Sequence, residues 1–96
     1  MIVLDATTEK IQVVLAGNVT TNQLNCYAAY RDITTTDYTA GNNPVNTNNT
    51  TDVDLVGAPD ASTQRVIDLI NIYNADTVAA TVTVKLDVSG TEYPLW

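Results

Sequence analysis

Histidine is absent from this chain, and with it go the usual general base at neutral pH and the commonest transition-metal ligand. A single cysteine, Cys26, excludes an intrachain disulfide and a thiolate zinc site. Cations are scarce too: Lys10, Arg31, Arg65 and Lys85 stand singly against eleven acidic side chains, for a formal charge of −7. Nucleic acid requires clustered cations that displace counterions from phosphate, and an anionic membrane surface requires a basic stretch, so neither partner is expected. No apolar run approaches the ~20 residues of a membrane span. The opening Met1-Ile-Val-Leu-Asp5 lacks the basic start of a secretory signal, so none is expected. Glycine occurs only at Gly17, Gly41, Gly57 and Gly90, too scattered for a phosphate-cradling loop.

What is present is β-forming. The 96 residues are one domain's worth, and 45% are hydrophobic, drawn from Val, Ile, Leu and Ala with no Phe and one Trp. Val, Ile and Thr lose χ1 freedom in helices and suit a pleated surface, while the abundant Asn suits turns. The expected fold is all-β: a single antiparallel β-sandwich over residues 1–96, immunoglobulin-like or jelly-roll-like, with six or seven short strands.

Alternation locates the strands. Ile11, Val13 and Leu15 share one face of the first, and Leu24, Cys26, Ala28 and Tyr30 one face of the second. Between about 39 and 51 the sequence is Thr- and Asn-rich, with Val45 its only apolar residue of any size, and a long exposed loop is expected there. Val53 and Leu55 point inward from a short strand whose Asp52 and Asp54 point outward. Residues 65–74 fit a helix face through Val66, Leu69, Ile70 and Tyr73, capped by Asp60 or Ser62, but their β-branched content favours a central strand with Ile67, Leu69, Ile70 and Ile72 buried. Val82, Val84, Leu86 and Val88 alternate strictly with Thr and charged residues, and Ser89-Gly90 makes a two-residue hairpin into Thr91–Trp96. Pro94 cannot donate to a ladder, which makes that last strand an edge. The expected core is Ile11, Val13, Leu15, Leu24, Cys26, Leu55, Leu69, Val82, Val84 and Leu86.

Chemistry-bearing patterns are sparse. Cys26 lies on an inward face with no cationic activator nearby in sequence, as a small buried thiol would. Asp52-Val-Asp54 places two carboxylates on one strand face, where they form a solvated face, a calcium ligand pair or a glycosidase couple; the first is favoured. Lys10 or Lys85 would form an isopeptide bond only if buried beside a carboxyl. No catalytic, cofactor or metal residue is assigned, and a non-enzymatic role is expected.

The segment from Arg65 to Trp96 runs as an apolar strand, an Asn74-Ala-Asp-Thr77 turn, a Thr/Val-alternating strand and a hairpin into Gly90-Thr-Glu-Tyr-Pro-Leu-Trp96. Together with Thr7-Thr-Glu-Lys-Ile-Gln-Val-Val-Leu-Ala16, it resembles small virion proteins of tailed bacteriophages. The resemblance implies a structural part of the particle, foremost a capsid decoration (cement) protein on the outer face of the major capsid shell. A tail-tip or receptor-binding module that contacts carbohydrate is the alternative. Implied partners are the major capsid protein and copies of the chain itself, threefold on an icosahedral shell being the favoured form; the implied location is the capsid surface, after synthesis in the host cytoplasm. The residues expected to contact partners are Tyr93, Leu95 and Trp96 at one end, and Asn42, Asn43, Val45 and Asn48 in the Thr/Asn-rich stretch.

Overall fold

The computed structural model describes residues 2–96, which form eight strands and no helix. These are β1 (Ile2–Leu4), β2 (Glu9–Leu15), β3 (Asn25–Ile33), β4 (Tyr38–Asn46), β5 (Val53–Val56), β6 (Gln64–Tyr73), β7 (Val82–Val88) and β8 (Thr91–Pro94). They make two antiparallel four-stranded sheets, ordered β1-β6-β3-β4 and β5-β2-β7-β8. The all-β sandwich expected from the composition is therefore present, with β1 and β4 raising the strand number to eight.

Inward side chains from both sheets meet in one core: Leu4, Ile11, Val13, Cys26, Ala28, Leu55, Val56, Ile67 and Val84. Leu15 and Leu24 are also buried, while Val82 and Leu86 pack partly buried against that core. The Ser89-Gly90 hairpin forms with both residues at positive φ (52° and 90°), the type I′ geometry that matches strand twist. Pro94 lies on β8, an edge strand, where its missing N–H costs no ladder bond.

Two expectations are corrected. Most of the stretch at about 39–51 is not a loop, because β4 pairs with β3 in continuous register from Asn25↔Asn46 to Ile33↔Tyr38. Its inward positions are filled without large apolar groups. Gly41 lies opposite Tyr30, and a Cβ there would meet the ring at 2.9 Å, so glycine makes room for the tyrosine. Asn43 donates its side-chain N–H to the Leu55 carbonyl at 2.9 Å, and Val45 packs against the core. Only residues after Asn46 turn, where the Thr51 N–H donates to the Asn48 carbonyl and Asn49 takes φ 51°.

The second correction concerns β6, which is central as expected but does not bury Leu69. A bulge at Asp68 interrupts pairing with β3: Ala29 faces Leu69, whereas Tyr30 faces Ile67. One extra residue reverses the alternation. Ile67 is buried at 3% exposure, and Ile70 and Ile72 follow it onto the core side, while Leu69 at 52% exposure moves to the outer face with Asn71 and Tyr73.

Candidate interaction surface

The outer face of the β5-β2-β7-β8 sheet carries a group of paired charges. Lys10 faces Asp87 and Gln12 faces Lys85 across β2 and β7. The Lys85 side chain is only 8% exposed, and its Nζ donates to Asp52 at 2.7 Å and to Glu92 at 2.5 Å. Burial alone would lower the Lys85 pKa; the bonds to Asp52 and Glu92 outweigh it, and the net direction is upward. Lys85 thus has the carboxyl neighbours an isopeptide bond needs, but a protonated amine has no lone pair with which to attack one. The cluster acts as a clamp joining the approach to β5 with β7 and β8. Asp54 accepts from Gln12 Nε2 at 2.9 Å and lies 3.4 Å from Lys10 Nζ. The Asp52-Val-Asp54 carboxylates therefore serve as counter-charges to the two lysines.

A second polar centre fixes the loops at one end of the sandwich. The Asp76 carboxylate accepts backbone N–H bonds from Thr20, Thr21, Asn22 and Thr77 at 2.8–3.2 Å. These donors, Thr20 foremost, hold its pKa down at about 2, from an ordinary 3.8. Asn49 accepts from the Val19 N–H and Gln23 Nε2, tying the β4–β5 turn to the same end. Elsewhere Arg65 forks onto Asp32 at 2.8 and 3.0 Å and lies 4.3 Å over the Tyr30 ring, whose edge meets Gly41. Cys26 is buried, which pushes its thiol pKa up and leaves it unreactive in the folded state. Each of these groups has a structural partner, and they do not converge on a common cleft.

The expected partner-contacting residues divide into two groups. Asn42 and Asn48 are exposed, whereas Asn43 and Val45 face inward and are engaged within the fold. That group lies on the β4–β5 side of the sandwich. Tyr93, Leu95 and Trp96 lie on the opposite side and are exposed, Trp96 at 67%. Their backbone is fixed nonetheless: the Val84 carbonyl accepts from the Leu95 and Trp96 N–H groups, and the Val84 N–H donates to the Trp96 carbonyl. The backbone of Trp96 is therefore held by an ordered strand continuation.

Around Trp96 the sandwich is open. A groove of about 420 Å³ runs between the sheets, lined by Leu24, Ile70, Ile72, Val82, Val84 and Trp96. A smaller hollow of about 230 Å³ is lined by Ile2, Ile67, Leu69 and Ile70, again with Trp96. Leu69 and Tyr73 add exposed apolar area on the outer face of β6. This apolar side is the candidate site, and the β6 part of it was missed from the sequence. The run Leu69-Ile-Asn-Ile-Tyr73 carried the signal: four of its five residues are apolar or aromatic, so a strand buried on one face must leave some of them in water. Comparison with family models, curated proteins and solved structures gives no match.

Proposed function

We propose that this chain is a non-enzymatic structural protein of a tailed-bacteriophage particle, a capsid decoration protein that sits on the outer face of the major capsid shell and contacts copies of itself. The observation that carries the assembly role is the apolar side around Trp96, where Tyr93, Leu95, Trp96, Leu69 and Tyr73 expose large side chains beside an open groove. Isolated exposed apolar residues are ordinary on soluble proteins; a cluster that includes tryptophan and tyrosine on an ordered backbone has the composition of an interface centre. The Lys85 and Asp76 groups support the same role, since they hold strands and loops together. The phage assignment rests on the sequence resemblance of residues 7–16 and 65–96, and the acidic, compact sandwich suits an outer-surface module.

Copy number tests the reading. Quantitative mass spectrometry of purified particles should find this chain in hundreds of copies per particle, in fixed proportion to the major capsid protein. A handful of copies would instead place it at the tail, and absence from the particle would overturn the proposal.

A further inference from the structure

β6 is an interior strand along only part of its length. On one side it pairs with β3 throughout, from Gln64 to Tyr73. On the other side β1 covers only Arg65 to Ile67. Among the described residues, no strand or loop backbone bonds to that side of β6 from Leu69 to Tyr73. An unpaired strand edge invites a further strand, and this stretch of edge carries no charge of its own to oppose one. The segment from Leu69 to Ala75 carries no charge, and Asp68 just before it is neutralised by Arg31, with contacts of 2.9–3.1 Å.

The edge is also self-complementary. Leu69-Ile-Asn-Ile-Tyr73 reads nearly the same in both directions about Asn71. We propose that a second copy of this chain pairs with it, β6 against β6, antiparallel and two-fold about Asn71. In that register Asn71 faces the Asn71 of the second copy, Ile70 faces Ile72, and Leu69 faces Tyr73. The Ile70–Ile72 pairs lie on the inward face, above the groove lined by Ile70, Ile72, Val82, Val84 and Trp96. The Leu69–Tyr73 pairs lie on the outer face and bury apolar groups now 52% and 64% exposed. Both faces thus gain a cross-strand apolar pair on each side of the axis, and the sheet continues across it in the order β4-β3-β6-β6-β3-β4, each β1 sharing its edge of β6 end to end with the second copy's strand. A two-fold pair differs from the threefold form expected from the sequence; it requires only the β6 edge and leaves Tyr93 and Leu95 for another partner.

Because the paired segment is short, association is expected to be weak in solution, and sedimentation velocity from ~10 μM to ~1 mM is the suitable range. The chain should shift from monomer to dimer across that range. The double variant Leu69→Lys/Tyr73→Lys changes only outward side chains, and should remain monomeric or need at least tenfold higher concentration to dimerise. A disulfide then tests the register. Residues directly opposite one another in an antiparallel pair have Cα atoms ~4.5–5.5 Å apart, within disulfide reach. Under mild oxidation with diamide, Asn71→Cys should cross-link as a dimer, while Tyr38→Cys, also exposed but on β4, should not; buried Cys26 does not compete. Wild type monomeric at ~1 mM, dimerisation unchanged by the two lysines, or equal cross-linking at 71 and 38 would each overturn the proposal.

Discussion

Replacing Ile67 and Leu69 separately by alanine tests the bulge that sets the two faces of β6. Ile67 is 3% exposed and belongs to the core cluster, so its truncation removes buried methyl groups and leaves a cavity, at a cost of about 2–5 kcal/mol. Leu69 is 52% exposed, with half of its surface already in water, and its truncation should cost about 1 kcal/mol or less. For a domain of this size each kcal/mol lowers Tm by roughly 4–8 °C, so Ile67→Ala should fall at least ~8 °C below wild type and Leu69→Ala should stay near it. Urea unfolding followed by circular dichroism gives both values, provided the slope with denaturant is unchanged. The measurement is made at low micromolar concentration and repeated tenfold higher, which separates self-association from intrinsic stability. Equal costs within ~0.5 kcal/mol, or a larger cost at Leu69, would mean that the alternation runs through Asp68 without interruption, and the assignment of faces would be refuted.

Three further outcomes follow from the polar groups. Asp76 has a depressed folded pKa, so its contribution to stability is complete above the unfolded value of 3.8 and is lost as pH falls through about 2. The difference in urea midpoint between wild type and Asp76→Asn should therefore shrink across that window; a difference independent of pH would contradict the hydrogen-bonded carboxylate. Lys85→Ala should destabilise by about 1–3 kcal/mol, because it removes a covered side chain and leaves the half-exposed Asp52 and Glu92 without their shared cation, whereas Lys10→Ala should change stability by no more than ~0.5 kcal/mol. Equal effects on thermal unfolding would remove the clamp. Cys26 should resist iodoacetamide in the folded protein at pH 8 and react fully in urea, with intact mass as the readout; rapid labelling of the native state would contradict its burial.

How much was legible in the sequence depends on where each strand's pattern resided. β7 and the β7–β8 hairpin could be read directly, because Val82 to Val88 alternate strictly and Ser89-Gly90 supplies two positive φ values. β4 could not, because two of its three inward positions are Gly41 and Asn43, whose fitness for a strand comes from the Tyr30 ring and the Leu55 carbonyl on other strands. The polarity of β4 resembles that of a loop in sequence, but it is that of an edge strand with one face in water. β6 was legible as a strand but not in its facing, since a bulge is a property of the pair and leaves no mark on a run so uniformly apolar. β1, three residues long, is too short to show a period. The burial of Lys85 was likewise hidden: its position in β7 reads as outward, and only Asp52 and Glu92, distant in sequence, cover it. For the candidate site, Tyr93, Leu95 and Trp96 stand out in the sequence as large apolar groups near a proline-limited edge strand. Leu69 does not, because on an uninterrupted strand it reads as core, with Tyr73 on the same face.

The most direct test of the assembly role is co-sedimentation of the purified chain with shells assembled from the major capsid protein. Leu95→Ser and Trp96→Ser are combined in place rather than deleted, so that the backbone bonds to Val84 are kept. Wild type should bind saturably in many copies per shell. The double variant should bind at least ~10-fold more weakly, the loss of two interface anchors, while keeping the β-rich spectrum of the wild type. No binding by the wild type, or equal binding by the variant, would contradict the account.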